Sequence, residues 1–219
     1  MTSSVIDAII ERNSGIARLE MARKSRFDGG TKSKMIEVGT KLFFENGFDG
    51  TSIRNIADGV GCEVGLFYYY YKSKDDLFSD ILEHFFEPYK KDFQAIVDGI
   101  RENDDRALER FFMYMQAEVR DFRSKYEGNM HRTVRWAIRE QALTVIEPYI
   151  EQIVDILVQD GANPPMQPRL TAVFLAHGVG SVILHEDADW VDEVTPQLRK
   201  TVNFVTGIPE NKRIEMFGE

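Results

Sequence analysis

Apolar side chains recur at helical spacing along nearly the whole chain, and no segment alternates as a half-buried β-strand does. Near the start of one such segment, Met35, Gly39 and Leu42 fall on one face at steps of four and three. Asn46-Gly47 then ends the segment, because glycine tolerates the left-handed conformation that closes a helix. The sequence therefore predicts an all-α fold, with a small N-terminal helical domain followed by a larger helical domain.

Glycines, prolines and charges divide the predicted helices into four regions. We predict a helical N-terminal extension over residues 1–30, a compact domain over 31–77, a larger domain over 78–207 and a tail over 208–219. The extension contains a basic stretch from Arg18 to Lys34, which is as compatible with a solvated face as with an arm that grips DNA. Within the larger domain we expect helix breaks at Gly128, near Pro148, in the loop of residues 161–165 and at residues 187–189.

The composition excludes several classes of protein. The single cysteine, Cys62, can form neither an internal disulfide nor a thiolate metal cage, and it fits a reducing compartment. The longest uncharged run has 16 residues and contains a histidine, which is too short and too polar for a membrane span. The four histidines lack metal-ligand spacing, and no serine has a nucleophile context. We therefore expect a cytoplasmic protein that is not an enzyme, with no cofactor, no metal and no membrane partner.

The net charge of −9 is confined to the second part of the chain. Residues 1–77 hold 11 basic and 11 acidic side chains, whereas residues 78–219 hold 16 and 25. The acidity therefore does not exclude nucleic acid, because a locally basic N-terminal region can still attract phosphate.

Two short predicted helices separated by a glycine turn give the strongest functional signal. We predict the first helix after Thr51, whose hydroxyl would cap it, and its end at Gly61. The second helix, from Glu63 to Tyr70, contains most of a run of four tyrosines, residues 68–71. At 100° per residue these rings cannot all face a core, so some must be exposed. Such a pair is typical of a helix-turn-helix whose second helix enters the major groove.

Lys74 adds a separate argument. It lies in the first turn of the next predicted helix, where the partial positive charge of the helix end disfavours a cation. A DNA phosphate at the same helix end would reverse that balance, so we interpret Lys74 as a phosphate contact. The preceding Ser73 and the acid at position 76 have capping-box spacing.

The residues of this region resemble the DNA-binding domain of TetR-type (tetracycline-repressor-like) transcriptional regulators over about residues 31–80. The matching positions are Lys41-Leu42-Phe43, Asn46-Gly47-Phe48, Thr51-Ser52-Ile53, Ile56-Ala57, Val60-Gly61, the stretch from Gly65 to Lys74, and Leu77. The sequence departs from the usual family pattern at Glu63, Leu66, Gly39 and Gly59.

The resemblance implies a set of DNA contacts. Phosphates would be held by Tyr68 and Lys74, and Thr51 or Ser52 would anchor the second helix to the DNA backbone. The residues expected to face the groove are Arg54, Val64, Gly65, Leu66, Tyr69 and Tyr70. It also implies that Cys62, Phe67 and Tyr71 pack in the small core.

The larger domain yields two further predictions. Ala172, Ala176 and Gly180 are spaced by four and form a smooth stripe, which favours close helix approach and predicts a dimer interface. The resemblance likewise implies dimerisation through the last two long helices, and it implies an effector cavity. The residues that we predict for the cavity wall are Phe111, Tyr114, Met115, Trp136 and His177.

Taken together, the sequence predicts a homodimeric transcriptional regulator that acts as a ligand-responsive repressor. It would bind a palindromic double-stranded DNA operator and release it when a small, largely apolar effector binds. The alternative is a helical protein-interaction module that has lost DNA binding, which Glu63 and the net charge of −9 favour. Strong salt dependence of DNA binding would distinguish the two.

Overall fold

A computed structural model describes residues 30–102, 107–126, 128–184 and 191–209. These residues are helical with connecting turns and contain no β-strand, which confirms the predicted all-α fold. The predicted basic extension and most of the predicted tail lie outside the described residues.

In the first half of the chain, a tight turn separates the second helix from the third. They are α1 (Thr31–Asn46), α2 (Ile53–Val60), α3 (Val64–Tyr70), α4 (Lys74–Arg101) and α5 (Ala107–Tyr126). The capping box predicted before α4 is confirmed, because the Ser73 N–H donates to Asp76 Oδ2 at 3.1 Å and the Asp76 N–H donates to Ser73 Oγ at 3.1 Å.

The later helices include one long helix and one segment that is divided into short pieces. They are α6 (Arg132–Gln159), α7 (Pro168–Phe174), a π-helical turn (Leu175–Val179), α8 (Gly180–Ile183) and α9 (Val191–Thr206). The predicted break near Pro148 is wrong, because α6 continues through that residue.

The chain divides into two compact units. Of the described residues, the N-terminal unit contains 30–88, 121–126 and 128–141, and the C-terminal unit contains 89–102, 107–120, 142–184 and 191–209. The N-terminal unit is therefore wider than the segment 31–77 identified in the sequence.

An aromatic and aliphatic core holds the helices of the N-terminal unit together. Phe43 of α1 lies 5.1 Å from Phe78 of α4 in an edge-to-face arrangement, measured between ring centroids. Ile56 of α2, Phe67 of α3 and Leu77 of α4 are fully buried. Burial of each such side chain contributes roughly 1.5–3 kcal/mol relative to exposure, so this core fixes α2 and α3 on a scaffold of α1 and α4.

No helix within the described ranges is both long enough and apolar enough to cross a membrane.

Candidate nucleic-acid interface

The helix α3 is anchored on one side and exposed on the other. Phe67 is fully buried and Tyr71, directly after the helix, is 5% exposed, which confirms that both lie in the small core. The remaining large side chains of α3 project outward: Val64 (37% exposed), Leu66 (37%), Tyr68 (55%), Tyr69 (78%) and Tyr70 (37%). Three of the four consecutive tyrosines are therefore exposed, as the helical spacing predicted.

A tight turn sets the direction of α3 relative to α2. Gly61 adopts the left-handed conformation at φ 79° and ψ 38°, and its N–H donates to the carbonyl of Ala57. The N–H of Cys62 donates to the same carbonyl at 3.0 Å. These bonds end α2 and let α3 begin within three residues, which is the geometry that a helix-turn-helix requires. Cys62 itself is only partly buried in this turn.

The predicted cap of α2 is wrong by one residue. Ser52, not Thr51, caps the helix: the Asn55 N–H donates to Ser52 Oγ at 3.1 Å, and the Ser52 N–H donates to Asn55 Oδ1 at 3.1 Å. Ser52 Oγ also makes a short contact with Asn55 Oδ1. Asn55 was not among the predicted site residues, although its position three residues after Ser52 is a capping-box signal.

Thr51 faces the inside of the unit. It is 1% exposed, and its Oγ1 donates to the carbonyl oxygens of Gly47 at 2.9 Å and Leu42 at 3.0 Å. A buried hydroxyl whose single proton is already shared cannot also reach a DNA phosphate. The proposed anchoring of α2 to DNA through Thr51 is therefore corrected, because this hydroxyl holds the loop between α1 and α2.

Lys74 has local partners that the sequence analysis did not foresee. Its Nζ donates to the carbonyl oxygens of Phe48 at 2.6 Å and Thr51 at 2.8 Å, and it lies 4.1 Å from the centroid of the Phe48 ring. These contacts stabilise the ammonium at the helix start without DNA, so the position of Lys74 does not by itself indicate a phosphate contact. The neighbouring candidates Arg54 and Gly65 are exposed, as is Glu63, which occupies the N-cap position of α3 without a side-chain capping bond.

A polar network fixes the end of α3 to α4. The Tyr71 hydroxyl donates to Asp80 Oδ2 at 2.7 Å, and Lys32 Nζ of α1 lies 3.0 Å from the same oxygen. Burial, followed by the bond to Asp80, raises the pKa of Tyr71. Burial alone would raise the pKa of Asp80, but the hydrogen bonds from Tyr71 and Lys32 outweigh it and the pKa lies below its ordinary value. This network could not be predicted from the sequence, because Lys32, Tyr71 and Asp80 are distant along the chain.

Two of the predicted effector-site residues meet in the C-terminal unit. Phe111 and Tyr114 both contact Phe93, with ring centroids 6.1 and 5.9 Å apart, and Tyr149 lies 5.4 Å from Phe93 on a further helix. The Tyr114 hydroxyl donates to Asp92 Oδ2 at 2.8 Å. Phe93, Phe111 and Tyr114 are each less than a tenth exposed, so they form an aromatic cluster within the unit.

The other three effector candidates are Met115, His177 and Trp136. Met115 is partly buried on α5. His177 Nε2 lies 3.4 Å from Glu147 Oε2 in the C-terminal unit. Trp136 belongs to the N-terminal unit, is 46% exposed and lies under the guanidinium of Arg132, whose Cζ is 4.2 Å from the ring centroid.

The predicted dimer stripe faces the inside of its own unit. Ala172 and Ala176 are fully buried in the single chain, and a Cβ added at Gly180 would lie 3.1 Å from Leu143 Cδ2 of α6. Side chains that are already covered cannot form a contact between two copies, so this prediction is wrong. The large apolar side chains that the last helices do expose are Leu170 (54%), Phe174 (46%) and Phe204 (76%).

Within the described part of the chain, no group of three or more His, Cys, Asp or Glu side chains is arranged to hold a metal ion. The N-terminal unit instead pairs a capped short helix with a second short helix whose outer face is aromatic and exposed. That arrangement defines a helix-turn-helix protein.

The model of the family described as bacterial regulatory proteins, tetR family, matches residues 35–81. The chain is 29% identical over 126 residues to the probable HTH-type transcriptional regulator YttP of Bacillus subtilis (strain 168), covering 57% of this chain and 56% of YttP. It is 21% identical over 190 residues to the HTH-type transcriptional repressor DhaR of Mycobacterium sp. (strain GP1), covering 84% of this chain and 95% of DhaR. The fold is similar to that of E. coli NemR in its reduced form, with a TM-score of 0.55, 15% identity and coverage of 82% and 98%.

Residues 35–81 therefore match the tetR-type helix-turn-helix domain, and the relatives that the chain is similar to are described as transcriptional regulators and repressors. The match to YttP spans little more than half of that relative's length.

Proposed function

We propose that this protein is a cytoplasmic, ligand-responsive repressor that binds a palindromic DNA operator as a homodimer. The observation that carries the proposal is the outer face of α3, where Tyr68, Tyr69 and Tyr70 are exposed while Phe67 anchors the helix from behind. Exposing three phenol rings to water has little value for folding. The same rings can lie along deoxyribose and donate hydrogen bonds to phosphates or base edges.

The chemistry of this face favours a particular kind of readout. Val64 and Leu66 are apolar and exposed, so they suit contacts with thymine methyl groups. Among the proposed contacts, only Arg54 has the guanidinium that pairs with guanine. We therefore expect an operator with thymines beneath α3 and few invariant guanines.

The proposed dimer contact uses the exposed apolar side chains of the last helices. Leu170 and Phe174 are four residues apart on α7 and thus share a face, and Phe204 on α9 is the most exposed of the three. Apolar side chains of this size favour burial against a second copy. A two-fold dimer would place its two α3 helices in successive major grooves, about 34 Å apart.

The proposed effector site is the aromatic cluster around Phe93. A small, largely apolar molecule that binds there in only one of two conformations would lower operator affinity by its differential affinity for them. No catalytic step is needed.

The first test is a selection from random-sequence duplex DNA with the purified full chain. We expect a palindromic site, and we expect Tyr69→Ala to weaken its binding by about tenfold, since one good base contact is worth roughly 1–3 kcal/mol. Met113→Ala is the matched control, because it removes another exposed apolar side chain (52% exposed) in the C-terminal unit. If no duplex is enriched at low salt, the function fails and the protein-interaction module replaces it.

The second test addresses the effector. Small apolar molecules are screened for those that raise the melting temperature, and each is then titrated in the presence of the selected duplex. By linkage, a true effector weakens DNA binding by a certain factor, and DNA weakens the binding of the effector by the same factor. A molecule that binds at the cluster and leaves operator affinity unchanged would contradict the ligand-responsive part of the proposal.

A further inference from the structure

Glu63 directly precedes α3, at the end of the turn that joins this helix to α2. Its backbone is extended, at φ −71° and ψ 146°, and its carbonyl oxygen accepts the N–H of Leu66 at 2.9 Å, which opens the helix. The side chain is exposed. Among the residues that the structure describes, its carboxylate makes no capping bond, other hydrogen bond or ion pair. The main chain is therefore held in place, while the carboxylate is available to a partner outside the chain.

The beginning of α3 is the part of a helix-turn-helix that is directed at the bases. In this arrangement the N-terminal residues of the second helix contact base edges in the major groove. Glu63 lies directly before Val64 and three residues before Leu66, the two exposed apolar side chains at this end of α3. A carboxylate cannot bind a phosphate directly, because both groups are negative. Its partner in the groove has to be a hydrogen-bond donor on a base.

The major groove offers a carboxylate few suitable donors, because a carboxylate only accepts hydrogen bonds. Cytosine presents its N4 amino group alone, whereas thymine presents O4 and guanine presents O6 and N7. Adenine presents an N6 amino group, but its acceptor N7 lies beside it. An acceptor next to the carboxylate repels it in the last three cases. Cytosine is therefore the base that an ionised glutamate selects.

We propose that Glu63 is a specificity-determining residue, which accepts a hydrogen bond from the N4 amino group of one cytosine in each half-site of the operator. This inference rests on the proposed DNA-binding function and specifies one base that the protein reads. The cytosine accompanies the thymines that Val64 and Leu66 favour. The charge of Glu63 also disfavours other sequences, so this side chain discriminates by repulsion as well as by attraction.

The test measures base preference, because removal of a negative charge strengthens binding to every duplex. In the duplex recovered by selection, each base pair of the half-site is replaced in turn by the other three pairs, symmetrically in both half-sites. Affinities are measured for the full-length wild type, Glu63→Gln and Glu63→Ala. Glu45→Gln is the matched control, since it removes the same charge from an exposed side chain of α1 in the same unit. Melting temperatures are measured without DNA.

For the wild type we expect one position at which replacement of cytosine weakens binding by about tenfold, or about 1.4 kcal/mol, which is the size of a good base contact. In Glu63→Ala this preference disappears. In Glu63→Gln it shifts toward adenine, because an amide both donates and accepts and thus fits N7 and the N6 amino group together. Preferences at the other positions stay as in the wild type, and Glu45→Gln keeps the preference for cytosine.

Two results would overturn the inference while leaving DNA binding intact: a cytosine preference that both variants of Glu63 retain, or a selected duplex without such a position. A lower melting temperature in both variants, with unchanged base preference, would assign the carboxylate a structural role and would overturn the inference as well. If the wild type enriches no duplex at low salt, the proposed function itself fails, and the base contact fails with it.

Discussion

Asp80 is the carboxylate on which three parts of the N-terminal unit meet. It accepts from the Tyr71 hydroxyl at 2.7 Å and from Lys32 Nζ at 3.0 Å, and His84 Nδ1 lies 3.2 Å from its second oxygen. Because Tyr71 directly follows α3, the carboxylate ties the base of the exposed helix to α4. A bond of this kind to a charged acceptor contributes more than one between neutral groups.

We expect Tyr71→Phe to lower the free energy of unfolding by about 1–2 kcal/mol, because the ring stays packed while the partly buried carboxylate loses a donor. The folded pKa of Asp80 lies below its ordinary value of 3.8, so Asp80 adds stability above that pH and loses it as the pH falls through the folded pKa. The difference between wild type and Asp80→Asn should therefore be largest near neutral pH and shrink below about pH 4. Urea unfolding at a series of pH values measures both effects. Tyr70→Phe is the control, and an equal loss in that exposed position would contradict the role of the bond.

The adjacent hydroxyls of Thr51 and Ser52 show where sequence reasoning ends at this scale. Serine and threonine are both favourable caps, and helix boundaries read from sequence are uncertain by a residue or two. Packing decides which of the two residues caps α2. Thr51 is buried, and its hydroxyl donates to the carbonyl oxygens of Leu42 and Gly47, so the cap falls to Ser52. By contrast, the burial of Phe67 and Tyr71 could be predicted, because the family pattern places both positions in the small core.

The stripe of small residues marks a buried face of its segment, not an outward one. Ala172, Leu175, Ala176 and Val179 are all buried, and their steps of three and four place them on one helical face. A π-helical turn over residues 175–179 lies within this segment. Sequence spacing shows that side chains share a face, but it does not show whether that face packs inside its own chain or against a second copy.

We expect Ala176→Leu to lower the free energy of unfolding by roughly 1–3 kcal/mol, because added methylenes do not fit a filled core. Gly178→Leu adds a side chain of the same final size two residues later, where no heavy atom lies within 4 Å of an added Cβ, and should cost nothing. Thermal and urea unfolding of both variants make the comparison. Equal stability of the two variants would contradict the burial of Ala176 in a filled core.

Pro148 illustrates how packing overrides a local signal in an element. A proline inside a helix removes one hydrogen bond and crowds the preceding turn, which is why the sequence indicated a break. Ile146, Ile150 and Val154, on both sides of the proline, are all buried in the C-terminal unit. Their combined burial outweighs a cost of about 3 kcal/mol, so α6 continues.

The assembly of the whole molecule depends on which apolar surface remains uncovered in a single chain. With Ala172 and Ala176 buried, the exposed apolar side chains Leu170, Phe174 and Phe204 take their place in the proposed dimer contact. We expect Phe204→Glu to shift the protein from dimer to monomer in analytical ultracentrifugation, because a carboxylate cannot be buried there without a partner.

Ser124→Glu adds the same single negative charge at an exposed position of α5 and should leave the dimer intact. The monomeric variant should keep its helicity and melting behaviour at low concentration, yet bind the selected duplex much more weakly, since it engages each half-site separately rather than both together. A Phe204→Glu protein that stays dimeric would place the contact elsewhere. A monomer with undiminished operator affinity would contradict the palindromic dimer itself.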